Sequence, residues 1–460
     1  MKQYTRLMDV LDRTESGAFL EESDWDMKIV PNEVARLLKE FDIKMPAVGE
    51  TIVPADDALA DRLFEAGLAL AERVGAYCVS TNRRIQFSRG EILAALDVAP
   101  LEVTLGQGTD QHTERKRRVE DTAFPTIKGG CVGTPITEEF YLQVMQSYAQ
   151  EPLVDAIIDG SLQSVYGREI RSHSPWELLA AWHEVELVKN AAHRAGRPGI
   201  GIGLVEDSVS EIGEISATSF GGARTTDWHH IAMISEFKTD YMVLCKVAHM
   251  LRTGSVIHAF YNTIYGGSCG GRDGMALAIV GGCILLQMLY MTPTHSVSPA
   301  HPFYDNDTTP EIIQAIALAQ QAMARNCRLL TDVVITPVGG PGTKTLLYEV
   351  AALACAATAS GACALIGPRS ESGIYPGHVT GLEARFMAEV SRASSGMARR
   401  DADGIVRHLV SLYQADLGKR GDGLPFNEAY DPVTIKPRAP WLATYEEVKA
   451  ELRKLGLPLR

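Results

Sequence analysis

Short apolar runs separated by longer amphipathic stretches set the texture of the chain from about residue 120 to residue 370. Eight runs are legible, at 126–133, 154–160, 199–205, 241–248, 255–264, 292–303, 331–338 and 362–367. The segments between them are long enough for crossover helices, which parallel neighbouring strands require. Eight strand–helix units predict an α/β fold, a (β/α)8 barrel of the TIM type over residues 120–370. The flanking segments carry helical periodicity instead. Residues 1–119 are expected as a helical N-terminal extension packed on the barrel, and residues 371–460 as a C-terminal helical segment with a Gly/Pro-rich linker at 418–425. Near the start, Ser23 stands as an N-cap ahead of Trp25, and Pro31 opens a periodic segment through Phe41. A second amphipathic segment covers residues 56–77 and ends near Gly75.

The third run is unusual in its glycines. A turn, Gly196-Arg197-Pro198-Gly199, leads into Ile200-Gly201-Ile202-Gly203-Leu204-Val205. An acidic pair, Glu206-Asp207, and a loop with Ser208, Ser210 and Ser216 follow. Glycines in a buried strand allow close approach of other groups to the backbone. No Lys follows the last glycine, so this is not a phosphate-binding loop.

A net charge of −13 argues against nucleic acid and anionic membrane as partners. The cluster Arg115-Lys116-Arg117-Arg118 has no interleaved aromatics and reads as a solvated face or subunit contact. Eight scattered cysteines without a CxxC pair, and no signal peptide, point to free thiols in a reducing cytoplasm. Stretches 274–291 and 350–367 approach the length of a membrane span. The first contains Gln287 and paired glycines, the second is mostly small residues, and neither has Lys/Arg and Trp belts. Both are expected as core helical surface rather than membrane spans.

The turn and strand at 196–203 resemble those of the monomethylamine:corrinoid-protein methyltransferases, where a Gly-Arg-Pro-Gly turn leads into a strand carrying pyrrolysine. Gly203 stands at the pyrrolysine position. The resemblance extends through Ser23-Asp24-Trp25-Asp26, Lys189-Asn190-Ala191-Ala192, Phe220-Gly221-Gly222, Gly266-Gly267 and Gly381-Leu382-Glu383-Ala384-Arg385-Phe386-Met387. It implies the barrel, a methyltransferase activity, a corrinoid (cobalamin) carried by a partner protein, and a hexameric homo-oligomer. It also implies that this member works without pyrrolysine.

Barrel enzymes react at the C-terminal ends of their strands. The loop after Gly221-Gly222 brings Arg224, Asp227, Trp228, His229 and His230; the fifth run brings His258, Phe260 and Tyr261, then Tyr265; the seventh brings Val334 and Thr336. The family sets two Glu, a Gln and a Tyr around its imine ring, at positions that fall here on His230, Phe260, Val334 and Thr336. A physical reason connects these differences to the substrate. Cobalt(I) displaces a methyl group in line, and the nitrogen must leave with the bonding pair. A neutral amine leaves poorly, whereas a quaternary ammonium departs as a neutral tertiary amine and needs no imine adduct.

A permanent cation is held by aromatic faces, and Trp228, Phe260, Tyr261 and Tyr265 are candidates for such a cage or for simple packing. Gly203 is expected to leave vacant the volume that pyrrolysine fills. His230 is the candidate catalytic residue, as hydrogen-bond donor or acceptor to substrate, with His229 and His258 as packing residues. Arg224 or Arg272 could hold the carboxylate of a betaine, or form a surface ion pair. Glu206, Asp207, Asp227 and Asp273 complete the polar rim. Cys245 and His249 invite a zinc reading, but on the apparent strand 241–248 that spacing does not converge on one ion, and no bound metal is expected.

The function expected is transfer of a methyl group from a small, quaternary methylated amine to the Co(I) corrinoid of a partner protein. No Asp-x-His-x-x-Gly cobalamin motif occurs in the chain itself. Zinc-dependent thiol or alcohol methyl transfer on the same fold, and a catalytically silent binding homologue, are the alternatives.

Overall fold

The computed structural model describes residues 2–204 and 210–459. Eight parallel strands close into a barrel: β1 Thr126–Gly130, β2 Ala156–Ile158, β3 Gly201–Leu204, β4 Trp228–Met233, β5 Val256–Tyr261, β6 Thr294–Val297, β7 Leu330–Val334 and β8 Ala364–Gly367. Each strand pairs with its sequence neighbour, and β8 closes on β1 with Gly367 opposite Gly129.

Seven of the eight apolar runs contain or overlap a barrel strand. The exception is 241–248, which belongs to helix Tyr241–Thr253. The Asp240 carboxylate caps that helix by accepting from the Val243 amide at 2.7 Å, and Gly254 ends it in the left-handed region. Val243, Leu244, Val247 and Met250 are its buried face, a helical spacing that an eight-residue window does not distinguish from a buried strand. The true fourth strand, Trp228–Met233, had the polarity of a loop because its inward positions carry His and Trp.

At the N-terminus, Ser23 is not a cap: helix Glu22–Asp24 follows Glu21 without a capping side chain and runs into a π turn, Trp25–Ile29. Helix Val30–Glu40 has Pro31 in its first turn, and Asp56 caps Asp57–Val74 through the Leu59 amide. The N-terminal region is not only helical. A hairpin of Glu102–Leu105 and His112–Arg115 closes the N-terminal end of the barrel. There Gly106 donates to Thr226 O at 3.0 Å, Gln107 donates to Gly199 O at 2.8 Å, and His112 Nε2 lies 2.9 Å from Thr126 Oγ1.

Helix Arg272–Tyr290 is long and apolar enough to cross a membrane, yet residues 274–290 are all buried, against helices Asp57–Val74 and Pro310–Asn326. The stretch 350–367 divides between helix Lys344–Ala359 and β8. Helices Arg399–Tyr413 and Ala439–Lys454 flank the 418–425 linker.

Candidate active site

The barrel interior is polar through its middle. Lys128 on β1 projects inward, with Nζ 2.6 Å from Asp332 on β7 and 2.8 Å from Glu114 of the closing hairpin. Its Nζ also lies 3.5 Å from His258 Nδ1 on β5, which sits 2.6 Å from Thr294 Oγ1 on β6. Burial alone would discharge Lys128, but Asp332 and Glu114 on either side hold its pKa above the ordinary value. Burial, reinforced by Asp332, pushes the Glu114 carboxyl up to about 8. The three groups form one coupled buried cluster, in which Lys128 keeps its proton and Glu114 holds a proton more tightly than an ordinary carboxyl. The sequence presents His258 as a packing residue, and Lys128 and Asp332 only as single charges inside apolar runs, which is the signal that could have found them; Glu114 lies outside every run and carries no such signal.

Toward the C-terminal ends of the strands, the rings stack upward. His230 lies 4.9 Å from His258 and 4.9 Å from Phe260, edge to face in each case. Burial, and then the Lys128 charge, lower the His230 pKa to about 3, so the imidazole is neutral at pH 7. Above it opens a cavity of about 440 Å3. His230, Phe260, Val334 and Thr336 line it together, with Val132, Asn262, Ser298, Asp305 and Arg369 around them. Four cavity residues keep a solvent-shielded polar atom with no hydrogen-bond partner among the described residues: His230 Nε2, Asn262 Oδ1, Asn306 Oδ1 and Arg369 Nε. Orphaned buried polar atoms are rare, and four around one cavity mark a ligand site.

The other expected site residues lie elsewhere. The volume beside Gly203 is not vacant. Gly203 pairs with Trp228 across β3 and β4, and a Cβ at 203 would fall 2.3 Å from the Trp228 ring. The indole occupies that space, packed with Ile158, Val334 and Ile366 in the barrel interior rather than lining the cavity. Tyr261 points out of the barrel, stacked on Phe237 at 5.4 Å and donating to the Glu236 carboxylate. Tyr265 stacks on His301 at 5.5 Å, away from the cavity. A four-ring cage therefore does not form; alternation along β5 places Phe260 inside and Tyr261 outside.

Arg224 forks onto Asp227 and donates to the carbonyls of Pro198 and Ile200, at the N-terminal end of the barrel. Arg272 is held by the carbonyls of Met45 and Pro46 and by Gln314 Oε1. Asp273 accepts from the Met45 amide. Glu206, Asp207 and Ser208 lie outside the described residues. Cys245 and His249 sit on a helix, not a strand, so the strand argument against them does not hold. Among the described residues, however, no three His, Cys, Asp or Glu side chains are grouped to hold an ion.

A closed parallel barrel with orphaned polar groups gathered at the C-terminal ends of its strands defines a barrel enzyme. Residues 5–457 match the family described as Monomethylamine methyltransferase MtmB. Monomethylamine methyltransferase MtmB1 of Methanosarcina barkeri is 33% identical over 449 residues, covering 98% of this chain and 97% of that protein. MtmB of Methanosarcina mazei matches to the same extent. The crystal structures of the Methanosarcina barkeri enzyme and of a hydroxylamine MtmB complex superpose with a TM-score of 0.95 at 32% identity, each covering 98% of both chains. The chain belongs to the MtmB family and is a methyltransferase.

Proposed function

We propose that this methyltransferase moves a methyl group from a small quaternary amine to the Co(I) corrinoid of a separate partner protein. The observation that carries the reading is that His230, Phe260, Val334 and Thr336 together form an uncharged part of the cavity wall, apart from the charged Glu214, Asp240, Lys246, Asp305 and Arg369 that also line it. A protonated methylamine against such a surface can lose its proton and with it a workable leaving group. A quaternary nitrogen cannot. The relatives named above act, by name, on monomethylamine; Gly203, at the position that the resemblance assigns to pyrrolysine, supports a change of substrate.

The corrinoid supplies the nucleophile that takes the methyl carbon, and the nitrogen departs with the bonding pair as a neutral tertiary amine. No proton is needed, in keeping with a His230 that is neutral at the working pH. Phe260 offers one aromatic face to the cation, and Val132, Ala232 and Val334 offer apolar contacts to its methyl groups. Asp305 lines the cavity and is exposed, which supports approach of the acceptor from that side. The reading carries with it a cytoplasmic homo-oligomer.

The test is turnover with reduced cobalamin as acceptor, followed by cobalt absorbance, comparing tetramethylammonium and related quaternary amines with monomethylamine. Quaternary substrates are expected to be demethylated and monomethylamine to give negligible turnover. Efficient demethylation of monomethylamine overturns the reading.

A further inference from the structure

We infer that the cavity takes an N-methylated amine that also carries a carboxylate, with Arg369 as the partner of that carboxylate. The inference rests on the methyl-transfer reading above and narrows its substrate class. Arg369 follows β8 and lines the cavity, and its guanidinium makes no hydrogen bond or ion pair among the described residues, with Nε closed off from solvent. A guanidinium stays charged, and although Arg369 is only partly buried, leaving its shielded Nε–H without an acceptor is costly. The second cation lining the cavity, Lys246, is already paired with Glu214 at 2.6 Å.

Asp305 and Asp307 are close enough for their charges to favour the Arg369 cation, but neither forms an ion pair or hydrogen bond with it among the described residues. Asp307 is buried and accepts instead from the Thr336 amide at 2.8 Å, and Asp305 is exposed. The place of a direct partner in the guanidinium fork is left for an anion of the ligand. Gly373 makes room for the side chain: a Cβ there would fall 2.4 Å from Arg369 Nε, and the residue has φ +67°. In a closed eight-stranded barrel, β8 stands opposite β4, so Arg369 faces the wall that carries His230 and its neighbour Phe260. A zwitterion spans this arrangement naturally, its methylated nitrogen against Phe260 and its carboxylate in the Arg369 fork.

The test is calorimetric binding of trimethylglycine and of tetramethylammonium, which carries the same cationic head without the carboxylate. Both are titrated into the wild type, R369Q and R369K, with thermal melts to establish that each variant is folded. The wild type is expected to bind trimethylglycine at least about 10-fold tighter than tetramethylammonium. R369Q should weaken trimethylglycine about 10- to 100-fold, the worth of a charged hydrogen bond, and leave tetramethylammonium within about twofold. R369K should fall between, since it keeps the charge and loses the fork.

Equal affinity for the two ligands in the wild type, or equal weakening of both by R369Q, overturns the inference. Turnover of tetramethylammonium without any preference for the carboxylate overturns the role of Arg369 and leaves the methyl-transfer reading standing. Arg369-dependent binding of trimethylglycine with no methyl transfer from either ligand supports the carboxylate site and overturns the methyl-transfer reading.

Discussion

Gly203 and Trp228 share one volume across adjacent strands, and that contact decides what a substitution at 203 does. A Cβ at 203 meets the indole at 2.3 Å, so Gly203→Ala or Gly203→Leu must move a ring that is fully packed. Overpacking of this kind costs about 1–3 kcal/mol. The expected result is a lower urea midpoint in both variants, and an unchanged midpoint would show that the indole moves freely. Phe260 and Tyr261 make a second contrast, one residue apart on β5. Phe260→Ala should raise KM about 2- to 30-fold with a smaller change in kcat, since the ring lines the cavity. Tyr261→Ala should instead destabilise the fold by about 3–5 kcal/mol, because its buried ring fills the space between β5 and Phe237. Equal kinetic losses in the two variants, without a stability difference, would place both rings at the substrate.

Among the elements, the segment 228–253 shows where local pattern stopped short. An apolar octet at 241–248 satisfies a strand and a helix alike, and only the Asp240 cap and the turn at Gly254 favour the helix. Asp240→Ala should cost about 1 kcal/mol in chemical denaturation if the cap seen here is formed. No loss would argue that the helix start is held by packing alone. The neighbouring strand β4 escaped detection because a barrel interior that stores polar groups inverts the usual inward-apolar rule. The hairpin of Glu102–Leu105 and His112–Arg115 belongs to the same device, since it delivers Glu114 to Lys128 from below. Lys128→Met removes the cation between two buried acids and should cost about 3–5 kcal/mol. A melt unchanged from wild type would mean that those acids are not paired through Lys128.

For the whole molecule, the buried acids and histidines give stability a definite pH dependence. His229, near 4, and His230 and His295, near 3, are held down by burial, so they stay neutral when folded but titrate near 6.5 when unfolded. Their contribution rises up to pH 6.5 and is flat above it. Glu114 and Asp307, both pushed up to about 8 by burial, keep protons that the unfolded chain has released. From pH 6.5 to 8 the native state therefore binds more protons, and stability falls by about 1.4 kcal/mol per pH unit for each of the two groups. Glu349 and Glu383, near 7, add to the fall in the lower half of that window. Denaturation of the wild type and Glu114→Gln at pH 6.5 and 8 checks this; the variant should show the shallower slope, and identical slopes would remove Glu114 from the account.

The alternation of apolar runs with crossover segments, together with the family resemblance, implied the barrel, because hydrophobic periodicity is local and seven of the eight strands carry their own copy of it. The family resemblance singles out Phe260, Val334 and Thr336 near strand ends, whereas the run itself does not separate the inward Phe260 from the outward Tyr261. The other features depend on closure. Lys128 and Asp332 lie 204 residues apart and meet only because β1 and β7 face one interior. The indole that fills the space beside Gly203 comes from the adjacent strand, and the unpaired Arg369 acquires its meaning only from the wall opposite. Distances between residues remote in the chain are set by the shape of the closed barrel, and no pattern confined to a strand and its flanks contains them.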